Sequence, residues 1–213
     1  MEAPPVPDER VTGRSIAKAS RRTALLDAAA RLFAARGYNG VSIEDLGAAA
    51  GVSGPAVYRH FPGKPSVLSA LLTGVSEDLL RGGRGVAAAA STPAGALEGL
   101  IRFQVDFALA HPEVIRVQDR DLDSLTDDDG RTVRSLQRSY LEVWVDELAA
   151  HRPDADRSLL RRRVHAVFGL INSTPHTTRR TGSPEELGRL RELLQDMAWA
   201  ALTVEQPDRR TSA

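Results

Sequence analysis

The sequence predicts an all-α protein: a three-helix head followed by an antiparallel helical bundle, about nine helices in total. Three observations carry that prediction. Apolar residues recur at i, i+3, i+4 and i+7 through most of the chain, Gly and Pro clusters interrupt the rhythm, and no hairpin signal or alternating strand occurs. The 213 residues, 42 % of them apolar, suffice for a substantial core. Cysteine is absent, which excludes disulfides, cysteine-ligated zinc, iron–sulfur clusters and thiol nucleophiles. Apolar runs such as Val86 to Ala90 fall far short of the roughly 20 residues of a membrane span. The opening MEAPPVPDER lacks the basic-then-apolar pattern of an export signal, so a cytoplasmic protein without membrane contact is expected.

Residues 1–20, with Pro4, Pro5 and Pro7 and no apolar period, read as a disordered arm ending in the basic stretch Lys18, Arg21, Arg22. Leu25, Leu26, Ala29, Leu32 and Phe33 then share one face of a helix that Gly37 stops. Ser42 is positioned to cap a short second helix from Ile43 to Ala50, which Gly51 breaks. Ser53 opens a third, with Pro55 tolerated in its first turn, running to about His60 before Pro62-Gly63. Leu68, Leu71, Leu72, Val75 and Leu79 mark a longer helix expected to end at Gly82-Gly83-Arg84-Gly85. Further helices are expected at about 93–110, 112–123, 127–151, 155–173 and 183–204. The units are therefore the arm at 1–20, the head at 21–65, the bundle at 66–205 and a tail at 206–213.

Charge divides the chain although its total is zero. Arg10 to Lys64 holds nine basic and three acidic residues, whereas Glu113 to Asp156 holds six and twelve. Such asymmetry points to segments with different partners. The Gly51 turn between two short helices has the spacing of a helix-turn-helix. Small residues at Gly47 and Gly51 allow close approach and a sharp turn, while Ile43, Leu46, Val52 and Val57 supply the contacts that set the crossing angle. The second of these helices displays residues suited to a DNA groove. Ser53, Tyr58, His60 and Lys64 can donate to phosphate, Arg59 can grip guanine bidentately, and Pro55 and Ala56 can meet a thymine methyl.

The stretch from Ala24 to Leu72 contains LLDAAARLFAARGYNGVSIEDLGAAAGVSGPAVYRHFPGKPSVLSALL and resembles the DNA-binding domain of the tetracycline-repressor (TetR) family. The resemblance rests on AAxxLFxxxGYxxxS, on EDLxxxAGVS, on Tyr-Arg-His-Phe at 58–61 and on Gly63-Lys64. It covers under a quarter of the chain. Pro65 stands where members often carry an acid, and proline fits the first turn of a helix. The resemblance implies a homodimeric one-component regulator, usually a repressor, with two heads on a palindromic double-stranded DNA operator and a small-molecule effector in each bundle. It also implies phosphate contacts from Ser42, Tyr58, His60 and Lys64, and base-proximal roles for Ser53, Gly54, Pro55 and Arg59. The family commonly pairs its last two helices, which would make Leu160, Val164, Val167 and Ile171, or Leu187, Leu190, Leu194, Met197 and Ala201, the dimer face.

In the bundle, Phe103 and Phe107, Tyr140 and Trp144, and His165, Phe168 and Asn172 occupy one helix face each, and either line an effector pocket or fill the core. Asp119, Asp121 and Asp123 match the first positions of a calcium loop, but Ser124 replaces its turn glycine and Gly130 its glutamate, so no metal site is expected; the aspartates should instead pair with Arg116, Arg120, Arg131 and Arg134. Lys18, Arg21 and Arg22 either enter a minor groove or stay solvated, and Arg161 to Arg163 form a solvated or dimer-rim face. No HExxH, nucleophile elbow, Walker lysine or dinucleotide fingerprint occurs, so neither an enzyme nor a resident cofactor is expected. The alternatives are an activator or architectural DNA binder that answers to no ligand, and a helical ligand-binding adaptor that binds no DNA.

Overall fold

The computed structural model describes residues 9–174 and 183–204, with side chains from residue 16 onward. Among the described residues are nine α-helices, a 3-10 turn at Leu122–Ser124 and no strand. The helices are α1 (Glu9–Arg36), α2 (Ile43–Ala49), α3 (Gly54–Val57), α4 (Lys64–Ala89), α5 (Pro93–Ala110), α6 (Pro112–Asp121), α7 (Asp127–His151), α8 (Arg157–Ile171) and α9 (Pro184–Thr203). None is long and apolar enough to cross a membrane.

Short polar side chains set most helix starts. Thr92 accepts from the N–H of Gly95 at 3.1 Å, Thr126 from Asp129 at 3.2 Å and Asp156 from Leu159 at 2.9 Å. Ser183 accepts from the N–H of Glu186, whose carboxylate accepts the N–H of Ser183 at 2.7 Å. Each cap satisfies a donor that the helix leaves unpaired and contributes about 1 kcal/mol. Pro93, Pro112 and Pro184 stand in first turns, where a missing N–H costs nothing.

Three helix bounds differ from expectation. The third helix ends at Val57, not at about His60, and residues 58–60 continue as turns. The helix that precedes Gly37 begins at Glu9, inside the stretch read as a disordered arm; the last proline there is Pro7, and the Arg, Ala and Lys that follow favour helix. Residues 1–8, 175–182 and 205–213, the last including the expected tail, lie outside the described residues. The Gly82 to Gly85 cluster does not end α4, which continues to Ala89. Its glycines make room for neighbours: a Cβ on Gly82 would lie 2.3 Å from the Phe103 ring, and one on Gly83 would lie 2.4 Å from that of Tyr140.

Two apolar cores form. The head core gathers Leu25, Phe33, Leu46, Val57, Phe61 and Leu68 from α1 to α4, and Val114 and Val117 of α6 join it. The bundle core gathers Leu97, Leu100, Trp144, Leu148, Val164, Ile171 and Leu202 from α5, α7, α8 and α9. Helix α4 serves both, with Leu68, Leu71 and Leu72 in the head and Leu80 in the bundle. The stripe Leu160, Val164, Val167 and Ile171, one of the two expected dimer faces, is at most 1 % exposed and packs inward. Arg161 and Arg163 are not a free rim. Arg161 Nε donates to Glu142 at 2.7 Å, and Arg163 donates to the carbonyls of Leu202 and Val204 at the end of α9.

Candidate nucleic-acid interface and bundle cavity

The α2–α3 unit is held by backbone and cap geometry. Ser42 Oγ accepts from the N–H of Asp45 at 3.0 Å and donates to its Oδ2 at 2.8 Å, and the N–H of Ser42 reaches the same carboxylate at 2.9 Å. Those hydrogen bonds, with Arg36 nearby, hold the Asp45 carboxyl below the usual carboxylate range. Gly51 adopts φ +69°, the left-handed conformation that favours glycine. At Gly47 a Cβ would lie 2.8 Å from the carbonyl oxygen of Val52, so a side chain there would push the turn backbone aside.

Onto this unit α3 is laid with Val57 fully buried and its other side free. Ser53, Pro55 and Arg59 are exposed, and Tyr58 is 55 % exposed. Arg59 has no carboxylate partner among the described residues. Gly54, Ala56 and His60 are half-buried, and a Cβ on Gly54 would touch Glu44 of α2. The Nδ1 of His60 is buried without a hydrogen-bond partner. Ser42 is exposed, with its hydroxyl proton committed to Asp45.

Lys64 Nζ donates to the carbonyl of Tyr38 at 2.9 Å and sits 4.4 Å from the centre of its ring. Tyr38 is therefore a positioning residue that the motif reading passed over, although its place in the Gly-Tyr turn was the available signal. Within the basic arm, the guanidinium of Arg22 lies 5.0 Å over the Phe61 ring, while Lys18 and Arg21 are exposed.

The bundle holds a cavity of about 390 Å³, within the range of small-molecule sites, which opens to solvent beside the exposed Arg134, Arg138 and His165. Phe107, Tyr140, His165, Phe168 and Asn172 line it, so five of the seven candidate pocket residues come together. The other two do not reach it. Phe103 is packed onto Gly82, and Trp144 is wholly buried with its ring edge-on to Phe168 at 5.0 Å. Burial pushes the Tyr140 hydroxyl up, so it stays protonated and donates to Gln104 Oε1 at 3.1 Å. Gln104 Nε2 in turn donates to Asn172 Oδ1 at 3.1 Å. Gln104, 2 % exposed, was legible as the polar interruption of the buried stripe of α5. Gln118, Arg134, Gln137 and Arg138, also on the wall, carried no such signal.

Helix α6 joins the two sites. Its Ile115 and Gln118 line the cavity, and Val114 and Val117 enter the head core. At its end Arg120 donates to the carbonyl of Phe33 and pairs with Asp121 at 3.0 Å, and Asp121 accepts the N–H of Tyr38 at 3.4 Å. Other aspartates of the cluster also pair with arginines, Asp123 with Arg134 and Asp128 with Arg131.

An outward polar face on a capped helix-turn-helix, joined by shared helices to a bundle with a cavity, is the arrangement of a DNA-binding transcriptional regulator. The family profile for bacterial regulatory proteins, tetR family, matches residues 25–71. The HTH-type transcriptional repressor KstR2 of Rhodococcus jostii (strain RHA1) is 30 % identical over 147 residues, covering 68 % of this chain and 70 % of that repressor. A TetR-family transcriptional regulator from Bordetella parapertussis 12822 has a TM-score of 0.74 at 27 % identity, covering 83 % of this chain and 93 % of that one. The ketosteroid transcriptional regulator KstR2 of Mycobacterium tuberculosis shares the fold with a TM-score of 0.73 at 22 % identity, covering 87 % and 96 %. The chain belongs to the TetR family of bacterial transcriptional regulators. Its relatives are DNA-binding transcriptional regulators, KstR2 of Rhodococcus jostii being a repressor.

Proposed function

We propose that the protein is a cytoplasmic homodimeric repressor that holds a palindromic operator and releases it when a small, largely apolar effector enters the bundle cavity. The observation that carries this reading is the free face formed by Pro55 of α3 and the flanking Ser53, Tyr58 and Arg59, while Val57 locks the opposite side of α3 into the head. Tyr58, His60 and Lys64 serve the phosphates, with Ser42 joining them when its hydroxyl turns from Asp45, and Ser53, Gly54, Pro55 and Arg59 face the bases. A single head buries too little surface for selective binding, whereas two heads reading half-sites one helical turn or a multiple apart reach it.

The dimer is supported by the outer face of α9. Leu193 and Met197, one turn apart, are 54 % and 45 % exposed, and Leu187 is exposed as well. Beside them α8 exposes Ala166 and Gly169, with open space around Gly169 that admits close helix approach. Effector entry would press on Ile115 and Gln118 and shift α6, moving the Arg120–Asp121 grip on the head.

The experiment is a gel shift of the purified protein against its own upstream region and a genomic fragment library, in excess nonspecific DNA. A selective complex with a two-fold symmetric footprint is expected. Absence of any selective fragment refutes the reading. Sedimentation of wild type and Leu193→Asp tests the dimer, which the substitution should dissociate.

A further inference from the structure

The described cavity wall is uneven in charge. Its described lining contains two arginines, three glutamines, an asparagine and a histidine, but no aspartate or glutamate. A site without a carboxylate has nothing to balance a cationic guest, and desolvating one there would be costly. The wall also has donors left over. Arg134, Gln137, Arg138 and Leu141 form one stripe of α7 facing the cavity. Both arginines are exposed at the mouth of the cavity; Arg134 is partly balanced by Asp123 at 3.6 Å, but Arg138 has no carboxylate partner among the described residues. Gln137 Nε2 is buried with no acceptor among the described residues, and a buried amide donor favours an acceptor. On the opposite side, the oxygens of Gln104 and Asn172 are occupied by the Tyr140–Gln104–Asn172 chain of hydrogen bonds. The cavity thus presents unmatched donors and a cation above an apolar floor of Leu79, Phe107, Ile115 and Phe168.

We propose that the effector is an amphiphilic acid, an apolar body ending in a carboxylate or phosphate, whose oxyanion is held by Arg138 and the Gln137 amide. This rests on the effector-cavity reading above and adds the chemical class of the guest. Charge-assisted bonds from a guanidinium to an oxyanion are about twice as strong as neutral ones, so the acid group dominates selectivity.

The test uses the full chain and matched probes on two apolar bodies. The linear series is decanoate, monodecyl phosphate, methyl decanoate and decylamine; the ring series is 2-naphthylacetate, its methyl ester and the corresponding amine. Affinity is measured by calorimetry and thermal shift. At least one acid should bind, at least tenfold more tightly than the ester and amine of the same body, and the decanoate-to-phosphate ratio identifies the oxyanion. Arg138→Gln should weaken the acid tenfold or more and leave the ester unchanged, and Gln137→Leu should weaken it to a lesser extent. An ester or amine that binds as well as its acid, an acid indifferent to Arg138→Gln, or no acid binding at millimolar concentration overturns the proposal. Operator binding is measured separately. An acid that binds without loosening DNA upholds the cavity chemistry and removes only the release mechanism.

Discussion

The backbone N–H of Tyr38, in the turn after α1, donates to Oδ1 of Asp121 at the end of α6, 3.4 Å away. The carbonyl of the same Tyr38 receives Lys64 Nζ. One residue therefore touches both the helix that borders the cavity and the lysine assigned to DNA phosphate. Because Asp121 is 6 % exposed and also balances Arg120, Asp121→Asn should lower stability by about 1–3 kcal/mol. Urea unfolding reads this as a lower midpoint. The same variant should bind operator DNA but respond less to effector, and an unchanged midpoint with unchanged response would show that the contact is idle.

Glycine to alanine substitutions along α4 should divide by sign. Alanine is favoured in a helix by about 1 kcal/mol, and Gly74 and Gly85 have open space around them, so Ala at either should stabilise by about 0.5–1 kcal/mol. Gly83 faces the buried Tyr140 ring, which is tied to Gln104 and cannot yield, so overpacking of about 1–3 kcal/mol outweighs the propensity gain. Thermal denaturation of the three single variants decides it, with Gly83→Ala expected below wild type.

Lys64 and Arg59 should fail in different ways. Lys64→Ala should weaken binding to every sequence alike and reduce the salt slope by about one. Arg59→Ala should cost about 1–3 kcal/mol at the preferred site and relax sequence preference there. Titrations of operator and scrambled DNA at several salt concentrations separate the two. Identical profiles would remove the division between phosphate and base contacts.

Acid should loosen the head through Asp45. Its folded carboxyl titrates below the unfolded value, chiefly because the Ser42 N–H holds the charged form. A depressed carboxylate contributes stability that is present above the unfolded value of 3.8 and is lost as pH falls through the lower folded one. The melting temperatures of wild type and Asp45→Asn should therefore differ at neutral pH and converge in acid. A constant gap across that range would contradict the assignment.

Much of the site was legible because its signals are local. The Ser42 cap, the Gly51 turn and the outward set Ser53, Pro55, Tyr58 and Arg59 follow from residue type and helical period alone. The cavity was legible only in part. Phe107, Tyr140, His165, Phe168 and Asn172 stand on it, while Phe103 and Trp144 carry the same chemistry and the same spacing but pack elsewhere. Arg138 and Gln137 read as ordinary surface of α7, since nothing in a single helix marks which polar residues border a void.

By itself the sequence determined where the capped helices of the bundle begin, because a cap or a first-turn proline acts on N–H groups within three residues of itself, as at Thr92, Thr126, Asp156 and Ser183. Tertiary structure decided which apolar faces of the bundle helices lie inside. The Leu160 to Ile171 stripe turned into the core, Leu193 and Met197 turned out, and α4 ran through four residues rich in glycine because two rings from α5 and α7 required the space. Burial depends on partners far along the chain, and hydrophobic period fixes a face without naming what covers it.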